Sequence, residues 1–260
     1  MNKNNPLISI ITPNYNCSRF ITETIESVLA QTYTNWEMII VDDCSTDDSY
    51  QIALNYAAKD LRIKVLQNEQ NSGAAFSRNS ALDIAQGEYI AFLDSDDLWE
   101  NNKLEKQIAF MQENNCDFSY TIYDLFDENS ESLNKRVRIP NELSYFKYLH
   151  HCYTGCLTVM YKKEIAENIR SFLIKNNNDY GLFLQVIKKS KNAMGLKECL
   201  AHYRIRSSSI SRKKLGKIKP YFQLMHDNLH LPYLISCWFL FTNIFIGKTW
   251  KYEKINNKGD

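Results

Sequence analysis

What the sequence lacks excludes several classes of protein before any motif is considered. Its formal net charge is +1, from 31 Lys and Arg against 30 Asp and Glu in 260 residues, so no nucleic-acid partner is expected. The seven cysteines include no CxxC pair, and the closest two, Cys152 and Cys156, have no suitably spaced histidines. A zinc site is therefore not expected, and the odd cysteine count agrees with a reducing compartment.

The sequence also lacks a segment that meets the usual requirements of a leader or of a membrane span. Pro6 and Pro13 bracket a short apolar run where a signal peptide needs a longer one, so a cytoplasmic protein is expected. The most apolar segment is 229–254. Between Leu231 and Gly247 it falls short of the ~20 apolar residues that a spanning helix needs.

Segment 229–254 is nevertheless dense in aromatic residues and has Lys and Arg on both sides. This composition is typical of a helix that lies in a membrane interface and is attracted to anionic lipid. Peripheral contact with the cytoplasmic face of the inner membrane is therefore expected. The alternative is a helix that packs on the protein's own core or on a partner subunit, and the sequence leaves both open.

In the first half of the chain, strand-like and helix-like runs alternate. The predicted strands are 7–12, 36–43, 63–69, 89–94 and 117–126, and the predicted helices are 19–32, 46–59, 74–87 and 102–114. Such alternation, at roughly 25-residue spacing, predicts βαβ units and an α/β fold with a mainly parallel sheet flanked by helices. The strands are apolar nearly throughout, as expected for strands covered on both faces.

The pattern loosens in the second half. We expect an irregular connection over 128–144, a strand running into a helix over 154–169, a helix over 176–190, and a strand followed by a basic loop over 199–214. The predicted organisation is a main domain, 1–211, with halves at 1–127 and 128–211, and a basic and apolar helical extension, 212–260.

Acidic and polar residues follow three of the predicted strands. These strands end in "TPNYN", "VDDCSTDD" and "LDSDD", and the carboxyl ends of parallel strands meet at one edge, where α/β sheets bind ligands. Closely spaced aspartates favour a hard divalent cation, Mg²⁺ or Mn²⁺, which would hold a nucleoside diphosphate. The alternatives are an acidic turn that caps the next helix and, in the second motif, Ser45 as a helix N-cap.

Four motifs in order resemble the family 2 glycosyltransferases: "ISIITPNYN", "VDDCSTDD", "NSGAAFSRNSAL" and "GEYIAFLDSDDLW". The resemblance is strong from about Pro6 to Lys106 and fades to scattered matches by about Ser211. It implies the GT-A fold and an inverting reaction that depends on a divalent cation, Mn²⁺ or Mg²⁺.

The resemblance also implies roles for single residues. Pro13 and Tyr15 would contact the nucleotide, and Asp43 would recognise its base. In the "DxD" motif, Asp94 would lie toward the ribose, Ser95 beside the donor, and Asp96 on the metal that bridges the diphosphate.

Two further positions carry the reaction in this interpretation. Arg78 matches the arginine of the family's "ARN" motif, with Ser77 in place of the usual Ala, and its side chain would approach the donor; the alternative is an arginine on the helix surface. Asp179 matches the family's catalytic base, with Asn178 in place of the usual Glu. It would take the proton of the acceptor hydroxyl, and the alternative is that Asp179 only caps its helix.

The segment "HYRIRSSSIS" resembles the family's mobile loop over the donor. Arg204 or Arg206 would contact the diphosphate, and His202 would complete the metal shell, although a lone histidine after a strand is more often structural. The QxxRW motif of processive members is absent, which favours transfer of a single sugar.

Together these features predict a non-processive, inverting glycosyltransferase. It would move one sugar from a nucleoside-diphosphate donor, expected to be UDP-linked, to a hydroxyl of a growing, lipid-linked surface glycan such as lipopolysaccharide, capsule or exopolysaccharide. One alternative is a nucleotidyltransferase, although "TPNYNCSRF" has no glycine-rich phosphate loop. Another is a non-catalytic protein that binds sugar nucleotides.

Overall fold

The computed structural model describes residues 5–206, 218–249 and 252–255. In that part of the chain the strands are β1 (Ile8–Asn14), β2 (Trp36–Asp42), β3 (Ile63–Gln67), β4 (Tyr89–Phe92), β5 (Leu98–Trp99), β6 (Phe118–Phe126), β7 (Ser132–Val137), β8 (Glu142–Leu143), β9 (Met160–Lys162), β10 (Ala193–Arg204) and β11 (Tyr252–Lys254). The helices are α1 (Ile21–Leu29), α2 (Ser49–Ala57), α3 (Ala74–Ile84), α4 (Lys103–Glu113), α5 (Tyr145–His150), α6 (Asn178–Lys189), α7 (Ile218–Gln223) and α8 (Tyr233–Thr249).

The first half folds as the sequence pattern predicts. Strands β3, β2, β1 and β4 lie side by side in that order, and all three pairings are parallel. Alternate residues of β1 enter two different cores: Ile10 packs with α1 and α4, and Ile11 packs with α3 and α6. Helices therefore cover both faces of the sheet, which explains why every residue of β1 and β2 is buried.

The second half makes the sheet mixed rather than mainly parallel. β9 runs antiparallel between β4 and β6, and β10 pairs in parallel with β6. β7 and β11 extend the sheet through antiparallel pairs, and β5 and β8 pair with β10. The α/β class, with a central sheet and flanking helices, is nevertheless confirmed.

Two predictions for the second half were wrong. The connection over 128–144 contains β7 and β8; four of the six residues of β7 are exposed, so its side chains show no apolar pattern although its backbone pairs with β6 and β11. The helix expected after β9 is a single 3₁₀ turn, Lys163–Ile165. Lys163 explains this, because its backbone N–H donates to Glu88 and its Nζ donates to the Ala85 carbonyl, which hold the chain against the sheet.

The order of the strands indicates where a ligand site should lie. β1 has β2 on one side and β4 on the other, so the chain leaves the carboxyl end of this group of strands in two directions and opens a crevice between its loops. The three polar motifs of the sequence all follow these strands. They therefore meet at this edge.

The C-terminal segment is built into the same core. After α7, a π-helical turn, Leu224–Asn228, leads to α8. Tyr221, Leu224 and Phe239 are buried in the core that contains α6, so one face of this unit packs on the protein itself, as one alternative held. No helix in the described ranges has both the length and the apolar character to cross a membrane. The predicted basic loop after Arg206 lies outside the described residues.

Candidate active site

A cavity of about 590 Å³ opens at the carboxyl ends of β1, β2 and β4. Its lining comes from segments far apart in the sequence: Pro13–Cys17 after β1, Asp43 after β2, Ala74, Ser77 and Arg78 of α3, Asp94–Asp96 after β4, Lys175–Asp179 at the start of α6, and Tyr203 and Arg206. All but two of the predicted site residues are in this list. The two that are not are His202 and Arg204.

In the second motif, "VDDCSTDD", some residues hold the strand ends and the next helix together, and one lines the cavity. Asp42 is fully buried, and Asn14 Nδ2 and Ser45 Oγ donate to its Oδ1 at 2.7 and 2.5 Å, which ties the ends of β1 and β2 together. Ser45 is therefore not a helix cap, because α2 begins later, with Asp48 at its N-cap. The Asp47 carboxylate accepts hydrogen bonds from the backbone N–H groups of Ser18 and Ser49. These bonds join the loop after β1 to α2.

Asp43 is the member of this motif that lines the cavity. Its carboxylate accepts hydrogen bonds from Asn68 Nδ2 at 2.7 Å and from the backbone N–H groups of Ser72 and Gly73 at 2.8 and 2.7 Å. Three donors thus hold the side chain in one orientation at the cavity wall. Tyr15 lies at the same wall, and 47% of its surface is exposed, which leaves an aromatic face available to a ligand.

Asp94 is held by Arg78, which is a buried residue and not the surface arginine of the alternative. The guanidinium donates one hydrogen bond to Asp94 Oδ1 at 2.5 Å and another to Asn178 Oδ1 at 2.7 Å. Burial opposes the positive charge of Arg78, but the surrounding negative groups, Asp94 first and Asp179 among the others, together outweigh it and raise the pKa of Arg78. One arginine therefore connects the loop after β4 with the first turn of α6.

Asp96 faces Arg206, whose Nη1 lies 3.1 Å from its Oδ2 and 3.1 Å from Cys17 Sγ. Burial, followed by the charge of Asp94, raises the pKa of Asp96, and Arg206 lowers it. Burial and the charge of Asp96 raise the pKa of the Cys17 thiol to about 11, so this thiol stays protonated at neutral pH. The negative charges of Asp94 and Asp96 repel each other, and a bound cation would reduce this repulsion.

The residues fit a divalent cation held jointly with a ligand. No three His, Cys, Asp or Glu side chains within the described part of the chain gather to form a complete metal site. Mg²⁺ and Mn²⁺, however, commonly use one or two carboxylates and take their other ligands from water and phosphate. Asp96, with hard oxygen donors at the wall of a cavity large enough for a nucleotide, matches that requirement.

Asp97 and Arg204 form the support beneath the acidic loop. Asp97 is fully buried and accepts the backbone N–H of Arg204 at 2.9 Å; burial, then the charges of Asp96 and Asp94, raise its pKa well above the usual range. The Arg204 guanidinium lies between the rings of Phe20 and Phe126, 4.6 and 4.2 Å from their centroids. It also donates to the Asp96 carbonyl at 2.8 Å, so Arg204 positions the loop rather than lining the cavity.

His202 lies elsewhere in the structure. Its Nε2 is 2.7 Å from Glu100 Oε1, and its ring packs edge-on against Phe126. His202 thus pairs with the residue after β5 and does not line the cavity, a position that favours the structural alternative.

The first turn of α6 brings the candidate base to the same cavity. Asp179 lines the cavity and lies within the first turn, whereas Asn177 occupies the N-cap, so Asp179 is not the helix cap. Asn177 has the left-handed backbone conformation, with φ 61°, and its buried Nδ2 has no hydrogen-bond partner among the residues that the structure describes. Strained backbone and an unsatisfied polar group are typical of functional turns.

Several cavity residues had no assignment from the sequence. Asn16 and Cys17 follow the predicted Tyr15 directly, and Lys175 and Asn177 precede Asp179 in the segment that leads into α6. Their nearness in sequence to predicted residues was the available signal. In the sequence, Asn178 was noted only because it replaces the Glu that the family usually has there. Its hydrogen bond to Arg78 joins segments 100 residues apart, so it becomes visible only in the folded structure.

Comparison with known proteins decides the family. The model of the family described as "Glycosyl transferase family 2" matches residues 9–170, which is more than half of the chain. The chain belongs to glycosyl transferase family 2. The matched range contains all three strand-end motifs and Arg78, and it ends nine residues before Asp179.

Two relatives resemble this glycosyltransferase over nearly all of its length. The putative teichuronic acid biosynthesis glycosyltransferase TuaG of Bacillus subtilis is 44% identical over 233 residues, which are 90% of this chain and 92% of that protein. The UDP-Glc:alpha-D-GlcNAc-diphosphoundecaprenol beta-1,3-glucosyltransferase WfgD of Escherichia coli is 40% identical over 242 residues, 93% of each chain.

Solved structures confirm the GT-A fold. Staphylococcus aureus TarS, residues 1–349, in complex with UDP-GlcNAc superposes with a TM-score of 0.70 at 23% identity, over 90% of this chain and 70% of that one. The mannosyltransferase PcManGT of Pyrobaculum calidifontis, in complex with GDP-Man and Mn²⁺, gives 0.67 at 15% identity, over 91% and 72%. At these identities the likeness is one of fold.

Proposed function

We propose that this glycosyltransferase transfers one sugar, with inversion, from a UDP-sugar to a hydroxyl of a lipid-linked surface glycan. The observation that carries the proposal is that Asp179 lines the same cavity as Asp94, Ser95 and Asp96. A carboxylate that can act as a base and a pair of carboxylates suited to a metal and diphosphate thus face one space. That combination is what a single displacement at an anomeric carbon requires.

In the proposed reaction, Asp179 is the general base. The acceptor hydroxyl loses its proton to the Asp179 carboxylate as its oxygen forms a bond to the anomeric carbon. The bond from that carbon to the diphosphate oxygen breaks, and its electron pair leaves with UDP. Attack from the face opposite to the leaving group inverts the configuration.

The donor would lie across the strand ends. Asp43, with Pro13 and Tyr15 beside it, would hold the nucleoside, and Asp94 and Ser95 would meet the ribose. The cationic groups of Arg206 and Arg78 at the same wall would attract the diphosphate. Asp96 would hold Mn²⁺ or Mg²⁺, and the bound ion would offset negative charge on the departing diphosphate.

The names of the relatives support the class of donor and acceptor. WfgD is named for UDP-Glc and for an acceptor on diphosphoundecaprenol, and TuaG is named for teichuronic acid biosynthesis. We infer a UDP-linked donor and a lipid-linked acceptor for this chain, and hence action at the cytoplasmic face of the cell membrane. Transfer of a single sugar is inferred from the missing QxxRW motif.

The proposal is tested by screening UDP-sugars with a synthetic lipid-linked acceptor and measuring UDP release with Mn²⁺ and with EDTA. Asp179→Asn should lower kcat by about 10²–10⁴-fold, the usual contribution of a general base, and leave UDP affinity within about twofold. Asp48→Asn is the matched control, because Asp48 is exposed at the N-cap of α2 and does not line the cavity.

The anomeric configuration of the product, read by NMR, tests inversion separately. The base assignment fails if Asp179→Asn turns over at the rate of the wild type. The class of reaction fails if no UDP-sugar binds or reacts and Asp96→Asn changes nothing.

A further inference from the structure

Helix α8 carries an exposed apolar face between Leu234 and Phe245. Leu234, Trp238, Phe241 and Phe245 follow the spacing that places side chains on one side of a helix, and they are 80%, 58%, 64% and 60% exposed. Ile235, at 44%, widens this face. Soluble proteins rarely expose so many large apolar side chains side by side.

The opposite face of α8 is fixed to the protein. Ser236 is fully buried and Phe239 is 9% exposed. Tyr221 Oη donates to the Phe239 carbonyl at 3.2 Å, and His150 Nδ1 lies 3.1 Å from Thr242 Oγ1. The exposed face is therefore held in one orientation, because rotating α8 would break these contacts and open the core.

Charge around α8 favours an anionic surface as the partner. The stretch from Asn228 to Tyr252 contains no Asp or Glu. In the sequence, basic residues stand on both sides of the apolar run from Leu231 to Gly247: Arg212, Lys213, Lys214, Lys217 and Lys219 before it, and Lys248, Lys251 and Lys254 after it. Lys219 lines a cavity together with Tyr233 and Cys237 of α8. A second copy of the chain is a poorer occupant, because a symmetric contact along this helix would bring the Lys219 ammonium groups of the two copies toward each other.

We propose that the apolar face of α8 (Leu234, Ile235, Trp238, Phe241 and Phe245) docks in the interface of an anionic lipid bilayer, with the helix lying along the surface. The helix is about 25 Å long at 1.5 Å per residue, shorter than the ~30 Å hydrocarbon core, so it lies in the interface and does not span it. Trp and Phe on the apolar side and Lys at the edges suit that boundary.

This docking would set the distance between the membrane and the candidate base. The Tyr221 ring of α7 stacks on Tyr180 at 5.9 Å between centroids. A Cβ added to Gly181 would lie 2.8 Å from Leu224 Cδ1, so the π-helical turn packs closely on α6. Both contacts lie within two residues of Asp179. The consequence for a lipid-linked acceptor rests on the proposed function, whereas the docking itself does not.

The test is co-sedimentation of the full chain with vesicles of phosphatidylcholine, with and without phosphatidylglycerol. The wild type should bind the anionic vesicles, and binding should weaken as salt is raised. Trp238→Ser combined with Phe241→Ser should lower vesicle affinity by about tenfold or more, because both side chains lose their burial in lipid. Leu61→Ser is the control, since Leu61 is 93% exposed far from α8 in the sequence.

Two further measurements separate the possible results. Sedimentation velocity without lipid should show the same oligomeric state for the wild type and the double variant; a dimer that the variant dissociates would overturn the proposal in favour of a second copy. Equal vesicle binding by the wild type and the double variant would also overturn it. A far-UV circular dichroism spectrum and a cooperative thermal unfolding transition like those of the wild type show that the variant is folded.

The docking and the proposed function can fail independently. Vesicle binding by a protein that turns over no UDP-sugar leaves the docking surface in place and removes the transfer reaction. Turnover of a short, water-soluble acceptor by a protein that binds no vesicles does the reverse. The double variant should keep its rate on the soluble acceptor, because the substituted residues do not line the cavity.

Discussion

A single buried arginine joins the two chemical parts of the site. Arg78 bonds Asp94 on the donor side and Asn178 on the side of the base. The family resemblance leads one to expect Glu at position 178, which would form a second ion pair with Arg78. The neutral amide of Asn178 accepts a hydrogen bond from Arg78 without forming an ion pair. Of the two partners, only Asp94 is therefore a carboxylate.

Asn178→Ala should therefore affect turnover more than donor binding. Loss of the bond to Arg78 loosens the first turn of α6, and kcat should fall by about tenfold, the equivalent of ~1.4 kcal/mol. UDP affinity, measured by calorimetry with Mn²⁺, should change by less than about threefold. A loss of UDP affinity equal to the loss in kcat would contradict a role in positioning the base, and Asn178→Asp should retain more activity because it keeps an acceptor for Arg78.

The neighbouring Asn177 allows a test of backbone strain. Its φ of 61° is a conformation that glycine adopts freely and alanine does not. Asn177→Gly should leave the free energy of unfolding within about 0.5 kcal/mol of the wild type, and Asn177→Ala should lower it by about 1 kcal/mol. Urea unfolding of both variants measures the difference. Equal stabilities would mean that the turn relaxes in the alanine variant.

The sequence predicted the residues of the cavity better than the residues that support it. Asp43, Asp94 and Asp179 stand in local motifs at strand ends or at a helix start, and local patterns reveal them. Arg204 and His202 look equally suited to a ligand, but two of their partners, Phe20 and Glu100, are more than 100 residues away in the chain. Only the tertiary structure shows that these two side chains are already occupied.

At the scale of elements, α4 carries an unusual buried lysine. Lys103 is fully buried in the first turn, its Nζ donates to Gln107 Oε1 at 2.6 Å, and it lies 4.1 Å from the centroid of the Trp99 ring. Burial lowers its pKa from 10.5 to about 7. Between about pH 7 and pH 10.5, Lys103 is therefore protonated in the unfolded chain and neutral in the folded protein.

This difference makes stability depend on pH with a definite sign. Because the unfolded state binds the extra proton in that window, the contribution of Lys103 to the free energy of unfolding rises with pH, by up to ~1.4 kcal/mol per unit, and is flat below about pH 7. Lys103→Met should remove this slope. The measurement is urea unfolding of the wild type and the variant at several pH values from about 6 to 9, with the difference between the two proteins as the readout. Parallel profiles would show that Lys103 keeps its charge when buried.

The elements of the second half show where pattern reading stops. β6 and α6 have strong apolar periodicity and appear where they were predicted. β7 is held by backbone pairing with β6 and β11, while four of its six residues are exposed. No single segment of sequence contains that information, because it depends on two other strands.

At the scale of the whole molecule, ligand binding should stabilise the fold. UDP with Mn²⁺ at about a hundredfold excess over Kd should raise Tm by roughly 5–10 °C, since a ligand that binds only the folded state adds ~2.7 kcal/mol at that concentration. Asp96→Asn should lose the part of the shift that depends on Mn²⁺, and EDTA should remove it from the wild type. Thermal unfolding followed by fluorescence measures both. An Asp96→Asn protein with the full shift would place the metal elsewhere.

The way the C-terminal segment is built in has a practical consequence for anyone who shortens the gene. Cutting the chain before α7 would remove Tyr221, Leu224 and Phe239 from the core and leave β7 without its partner β11. If such a shortened protein failed to bind membranes, the result could not be assigned to the loss of α8, because a misfolded and aggregated protein would fail in the same way. Point substitutions on the outer side of α8 leave those contacts intact and are the safer route for both assays and crystallisation.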